Sequence, residues 1–244
     1  MTDSGARKEQ LAANLAKVEE RIAKACAAAG RSRGDVTLIA VTKTYPASDV
    51  RLLSSLGVGQ VGENRDQEAG PKAAACADLP LTWHFIGQLQ TNKAKSVARY
   101  ASYVHSVDRA RLAAPLGAAA VREGREIGAL VQVALDAEGD PAAHAGRGGA
   151  HPDEVPELVD RIAATEGLRP AGLMTVAPLA GRYAGDARAA FARLAELASL
   201  VRAAHPAATM VSAGMSGDLE EAIAAGATHV RIGSAILGTR SPLG

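Results

Sequence analysis

The alternation of apolar and polar positions divides the chain into one long helix followed by a regular series of short strands and helices. Between residues 6 and 29, apolar side chains fall at Leu11, Leu15, Val18, Ile22 and Cys26. That spacing of three and four predicts an amphipathic helix, and Gly30 is suited to end it. Downstream, apolar runs at 36–42, 59–62, 82–87, 102–106, 128–135, 170–175, 209–212 and 228–232 predict eight buried strands. Helical stretches begin near Ala47, Arg65, Asn92, Arg109, Pro152, Asp186 and Ser216. Strict alternation of strand and helix implies a parallel sheet with right-handed crossovers. Eight such units in 244 residues fit an α/β fold of the closed (β/α)8 TIM-barrel type with an extra N-terminal helix, for which about 250 residues is typical. An open doubly wound sheet is the competing architecture, but no GxGxxG follows the first strand. No linker or repeat divides the chain, so residues 1–244 are expected to form a single domain. The glycine-rich stretch from Asp136 to Ala150 follows strand five and is expected at the ligand face.

Composition narrows the class further. Apolar residues make up 48% and charged residues 22% of the chain, both ordinary for a globular protein. A net charge of +1 and 3% aromatics give no electrostatic footprint for nucleic acid or anionic membrane and few platforms for stacking bases. The polar start Met1-Thr2-Asp3-Ser4 lacks the apolar stretch of a signal peptide, and no run approaches the roughly 18 apolar residues of a membrane span. Cys26 and Cys76 are far apart, with Cys26 on the apolar helix face, so reduced packing cysteines are expected rather than a disulfide or zinc site. The expectation is a cytoplasmic monomer with no nucleic-acid or membrane partner.

Polar residues gather where the predicted strands end, as on the active face of a barrel. Lys43 closes the first strand, Gly62-Glu63-Asn64 the second, His105-Ser106-Val107-Asp108 the fourth and Met174-Thr175 the sixth. A lysine there is expected in a site with little water, where burial lowers the ammonium pKa and frees an amine for Schiff-base chemistry. The alternative is a strand-end lysine that snorkels to solvent. After strands seven and eight come Ser212-Ala213-Gly214-Met215-Ser216-Gly217 and Gly233-Ser234. Glycine-rich loops leading into helices suit a phosphate, while Asp218 suits the helix dipole rather than an anion. Lysine opposite a phosphate cradle fits either a phosphosugar aldolase or pyridoxal phosphate. Arg231 favours the latter, since an arginine beside a pyridine nitrogen donates to it and leaves it unprotonated.

Several segments in order carry a resemblance: Val41-Thr42-Lys43-Thr44, Gly62-Glu63-Asn64, Trp83-His84-Phe85-Ile86-Gly87-Gln88, Gly172-Leu173-Met174-Thr175, Gly214-Met215-Ser216-Gly217-Asp218 and Val230-Arg231-Ile232-Gly233. Together, from about residue 36 to residue 240, the chain resembles the pyridoxal phosphate homeostasis protein family. The resemblance implies a barrel like the N-terminal domain of alanine racemase, the third fold type of pyridoxal phosphate proteins. It implies pyridoxal 5'-phosphate as a covalent aldimine on Lys43 and Arg231 at the pyridine nitrogen. Ser216, Gly233 and Ser234 would hold the phosphate, with Asn64, His84, Ser212 and Met215 lining the pocket. Ala213 and Ala134 depart from the family pattern, which usually has methionine and asparagine there.

His84, flanked by aromatics, is either a pocket residue or a packed, hydrogen-bonded one. His105 and His229 are expected in internal hydrogen bonds, His144, His151 and His205 in loops or at helix ends, and Lys93 and Lys95 on a solvated face. Two functional classes follow. One is a carrier or regulator that holds the cofactor and supplies apoenzymes; the other is a racemase-like enzyme. Racemisation needs acid/base groups on both faces of the substrate carbon. Alanine racemases complete the second face with a further β-rich domain, for which a chain ending at Gly244 is expected to have no room. The carrier is therefore the favoured expectation, without robust turnover.

Overall fold

Eight parallel strands close on themselves in sequence order in the computed structural model, which describes residues 3–138 and 148–238. The strands are β1 (Thr37–Val41), β2 (Gln60–Glu63), β3 (Thr82–Phe85), β4 (Tyr103–Val107), β5 (Ile127–Gln132), β6 (Leu168–Met174), β7 (Met210–Ser212) and β8 (His229–Ile232). The helices are α1 (Asp3–Ala28), α2 (Ala47–Ser55), α3 (Asp66–Ala75), α4 (Ala94–Ala98), α5 (Ala110–Arg122), α6 (Val155–Ala163), α7 (Ala187–Ala204), α8 (Leu219–Ala224) and α9 (Ser234–Leu237). Closure is completed by β8 pairing with β1, where Ile39 stands opposite Arg231. Every strand thus has two neighbours, and the run of apolar residues in each is covered on both faces.

The predicted apolar stripe of α1 is its buried face. Leu11, Val18, Ile22 and Cys26 pack with Leu219, Ile223, Val230 and Ile236. Each fully buried leucine or isoleucine contributes about 1.5–3 kcal/mol relative to exposure. Polar ties complete the attachment: Arg7 pairs with Asp49 at 2.6 Å and donates to the Leu237 carbonyl, and Asn14 donates to the Ile236 carbonyl. The extra helix therefore covers the side of the barrel where β8 meets β1 and is tied to the segment that follows β8.

Several boundaries differ from the periodicity, three of them near the expected ligand face. β5 stops at Gln132, because Leu135–Ala137 turns into a 3-10 helix. α4 starts at Ala94, after a 3-10 turn over Thr91–Lys93. α8 starts at Leu219 rather than Ser216, because the Asp218 carboxylate folds back onto the Met215 N–H at 2.6 Å. Much of the glycine-rich stretch, with His144, lies outside the described residues. Both cysteines are free and buried. Among the described residues no helix is long and apolar enough to cross a membrane.

Candidate functional site

Lys43 stands just beyond the end of β1. Thr42 is buried, while Lys43 is exposed, so the dry environment expected around its amine is absent here. The cause is a tight turn: the Tyr45 N–H donates to the Thr42 carbonyl at 3.1 Å and Thr44 takes φ +68°. The turn swings Lys43 off the strand, as the snorkelling alternative describes. A left-handed conformation at a β-branched residue costs on the order of 1–3 kcal/mol and persists only where the surroundings impose it. Beside it, Glu63 is fully buried, with Oε1 accepting from Thr42 Oγ1 at 2.6 Å and from Lys72 Nζ at 2.5 Å. Burial raises the Glu63 carboxyl above its ordinary value, and the bonds from Lys72 and Thr42 only partly offset this.

Inside the barrel, Arg231 heads a chain of hydrogen bonds. Its side chain is buried, and its guanidinium donates to Ser212 Oγ at 2.8 Å and to the Thr175 carbonyl at 2.9 Å. Ser212 Oγ lies 3.0 Å from His105 Nδ1, His105 Nε2 lies 2.8 Å from His84 Nδ1, and His84 Nε2 lies 2.7 Å from Gln60 Oε1. Arginine can only donate, and the terminal oxygen can only accept. Every link then has one donor and one acceptor if both histidines are neutral. Two charged rings would set N–H groups head to head between His84 and His105. Burial acts in the same direction, pulling His84 down to about 3 and His105 well below its usual value. His84 also stacks on Tyr103, with ring centroids 5.0 Å apart. Burial lowers Arg231 to about 10, with the Asp218 charge opposing the shift, so the guanidinium is charged at neutral pH. Its hydrogen-bond partners are neutral oxygens, and among the described residues no carboxylate pairs with it.

The loops after β7 and β8 form the remaining wall. Gly214 has φ +90°, and a Cβ there would meet the Ala222 Cβ at 2.7 Å, so only glycine lets the loop turn tightly against α8. Met215 is exposed at the loop tip, and the Ser216 carbonyl accepts from Arg21. Gly233 is the N-terminal boundary residue of α9, with Ser234 exposed at its first position. On the opposite side, Asn64 follows β2, and its Oδ1 is buried without a hydrogen-bond partner. Gly87 permits that arrangement, since a Cβ would lie 2.0 Å from the Asn64 carbonyl oxygen. Buried polar atoms are nearly always satisfied, which makes Asn64 Oδ1 available to a ligand.

The sequence expectations for the site thus separate into two groups. Lys43, Asn64, Met215, Ser216, Arg231, Gly233 and Ser234 all follow or end strands at the same mouth of the barrel. His84 on β3 and Ser212 at the end of β7 have their polar side-chain atoms engaged by protein partners: Ser212 touches Arg231 directly, and His84 is linked to it through His105 and Ser212. His105 is hydrogen-bonded internally, and His229 lies 2.8 Å from Thr228 Oγ1, both as expected. Sequence reasoning missed Gln60, the Thr175 carbonyl and Lys72. The recurrence of Tyr103 and His105 on one face of an apolar strand was the available signal for a polar interior. Ala213 and Ala134, the two family departures, are simply buried.

Comparison with known proteins agrees with this geometry. The profile of the alanine racemase N-terminal domain matches residues 10–241. The pyridoxal phosphate homeostasis protein of Mycobacterium tuberculosis H37Rv is 42% identical over 254 residues, covering 96% of this chain and 94% of that protein. PipY of Synechococcus elongatus, solved with PLP bound, is 33% identical with a TM-score of 0.78, covering 93% of this chain and 100% of its own. Corynebacterium glutamicum alanine racemase, at 14% identity and a TM-score of 0.65 over 97% of this chain and 62% of its own, shares the fold alone. With a family profile spanning most of its length and close relatives of one name, the chain belongs to the pyridoxal phosphate homeostasis protein family, on the alanine racemase N-terminal domain fold.

Proposed function

We propose that this protein binds pyridoxal 5'-phosphate as a Schiff base on Lys43 and serves intracellular homeostasis of that cofactor rather than robust turnover. The observation that carries the proposal is Arg231, a buried cation held by neutral oxygens at the end of β8. A pyridine nitrogen is a neutral acceptor that such a donor suits. The buried, unpartnered Asn64 Oδ1 and the loops bearing Ser216, Gly233 and Ser234 fit the ring substituents and the phosphate. When bound, the cofactor supplies an aldehyde carbon and an electron-withdrawing ring. Arg231 keeps its own proton and leaves the ring nitrogen without one, which restrains the ring as an electron sink. Ser212 and His105 orient the guanidinium, and Asn64 and Met215 bound the pocket.

Restraint favours holding and releasing over catalysis. The two imidazoles nearest Arg231 in the chain are neutral and committed to each other, so neither offers a free acid or base. Tyr45, the tyrosine nearest Lys43 in sequence, donates its hydroxyl hydrogen to the Gly238 carbonyl at 2.6 Å, away from a role as the second racemase base. The natural recipients of a held cofactor are apoenzymes that require it. The test is an absorbance titration of the protein with pyridoxal 5'-phosphate, then incubation of the loaded protein with L- and D-alanine in deuterated water. A yellow band that saturates at one equivalent in wild type and is missing in Lys43→Ala is expected, with no sustained α-deuteration. Absence of the band would remove the proposal, and multiple turnovers of deuteration would replace the carrier with an enzyme.

A further inference from the structure

A second polar cluster lies on the helix side of the sheet, between the ends of β1 and β2 and helix α3. It grips the backbone on both sides of Lys43. Before Lys43, the Thr42 carbonyl accepts from Lys72 Nζ at 2.8 Å, and the same ammonium donates to Glu63 Oε1 at 2.5 Å. Glu63 Oε1 accepts in turn from Thr42 Oγ1 at 2.6 Å. After Lys43, the Thr44 N–H donates to Glu68 Oε2 at 2.9 Å. Between these two anchors the chain makes the turn in which Thr44 has φ +68°. Lys43 itself is exposed, so side-chain packing does not aim it. Its direction is set by the backbone, and the backbone is set by α3.

Stability alone does not account for this cluster. Lys72 and Glu63 are 7% and 0% exposed, and a buried ion pair is commonly no more stabilising than apolar residues of the same volume. Glu63 Oε2 lacks a partner, a further cost. A strained turn beside the residue that does the chemistry, pinned from both ends by charged groups, is the arrangement expected where position matters.

We propose that Lys72, Glu63 and Glu68 are positioning residues for Lys43. They lock the Thr42–Tyr45 turn so that the Lys43 amine meets an aldehyde carbon in the geometry for attack. In that step the nitrogen lone pair forms the bond to the carbonyl carbon, and the two amine hydrogens leave with the carbonyl oxygen as water, giving a C=N bond. This rests on Lys43 being the Schiff-base lysine, and the experiment separates the two ideas.

Two probes are compared on wild type, Lys72→Met, Lys72→Arg and Glu68→Ala. Pyridoxal 5'-phosphate reports covalent attachment, followed by stopped-flow absorbance. Pyridoxine 5'-phosphate, an alcohol that cannot form the bond, reports occupancy of the pocket by calorimetry. The positioning role predicts that Lys72→Met slows attachment by about tenfold to a hundredfold while pyridoxine 5'-phosphate binds within about twofold of wild type. Lys72→Arg should recover part of the rate. Glu68→Ala, at a partly exposed site where folding is not at risk, should slow attachment by about threefold or more. Unchanged attachment rates in Lys72→Met and Glu68→Ala, with wild type labelled at Lys43, would overturn the positioning role and leave the Schiff base intact. Equal loss of both ligands would overturn it too, marking Lys72 as part of the pocket. Failure of wild type to form the bond at all would refute the Schiff-base assignment and the positioning role with it.

Discussion

The neutral histidine chain makes a quantitative demand on stability below neutral pH. His84 and His105 are 1% and 0% exposed, with burial holding them at about 3 and well below the ordinary value respectively. In the unfolded chain both return to about 6.5. Below that pH the unfolded state binds protons that the folded state refuses, so the unfolding free energy falls as pH falls. Each ring removes about 1.4 kcal/mol per pH unit. Going from pH 6.5 to 5.0 thus costs about 2 kcal/mol for His84, and His105 adds a loss of the same sign. His229, which burial lowers to about 4, acts in the same direction. Glu63 acts against them, since its raised carboxyl pKa lets the folded state take up a proton that the unfolded chain binds only at lower pH. Against a total of about 5–15 kcal/mol for a typical domain, the net loss is large. Urea unfolding at pH 7.5, 6.5, 5.5 and 5.0 should show stability nearly flat above 6.5 and falling steeply beneath it. A flat profile down to pH 5.0 would refute the argument, as would an NMR titration in which the His84 or His105 ring takes up its proton above pH 6.

Three substitutions test other parts of the account. Ser212→Ala leaves His105 Nδ1 without a donor and Arg231 with one partner fewer, which should cost about 1–3 kcal/mol in urea unfolding; a change below 0.5 kcal/mol would show that the chain carries no such coupling. Gly214→Ala forces a side chain into a left-handed backbone 2.7 Å from the Ala222 Cβ, so thermal unfolding should drop by a loss of about 1–3 kcal/mol, together with weaker binding of inorganic phosphate. Arg231→Gln removes the buried cation and should loosen retention of pyridoxal 5'-phosphate and shift its absorption band; unchanged affinity and spectrum would remove Arg231 from the ring nitrogen.

Much of this molecule is legible in its sequence because the signals are local. The apolar runs marked all the strands to within a few residues, since a strand of a closed parallel barrel is buried on both faces and reads as one block. The stripe of Leu11, Val18, Ile22 and Cys26 marked α1 for the same reason. What was not legible depends on closure of the barrel. His105 and Ser212 are 107 positions apart, and only the parallel barrel brings β4 and β7 residues to one hydrogen bond. Lys72 carries no local signal, since nothing near it in sequence says that Glu63 and the Thr42 carbonyl lie within its reach. The exposure of Lys43 was one of two readings left open, because the position of a residue at a strand end does not reveal the turn that follows. Thr44, a β-branched residue, gave no hint of a left-handed conformation.

The central claim is that Lys43 is the residue to which pyridoxal 5'-phosphate is joined. Borohydride reduction of the saturated protein, followed by proteolysis and mass spectrometry, tests it most directly. The account predicts one phosphopyridoxyl group per chain, on the peptide carrying Lys43, and none in Lys43→Ala. A stoichiometric adduct on any other lysine, Lys72 included, would contradict it.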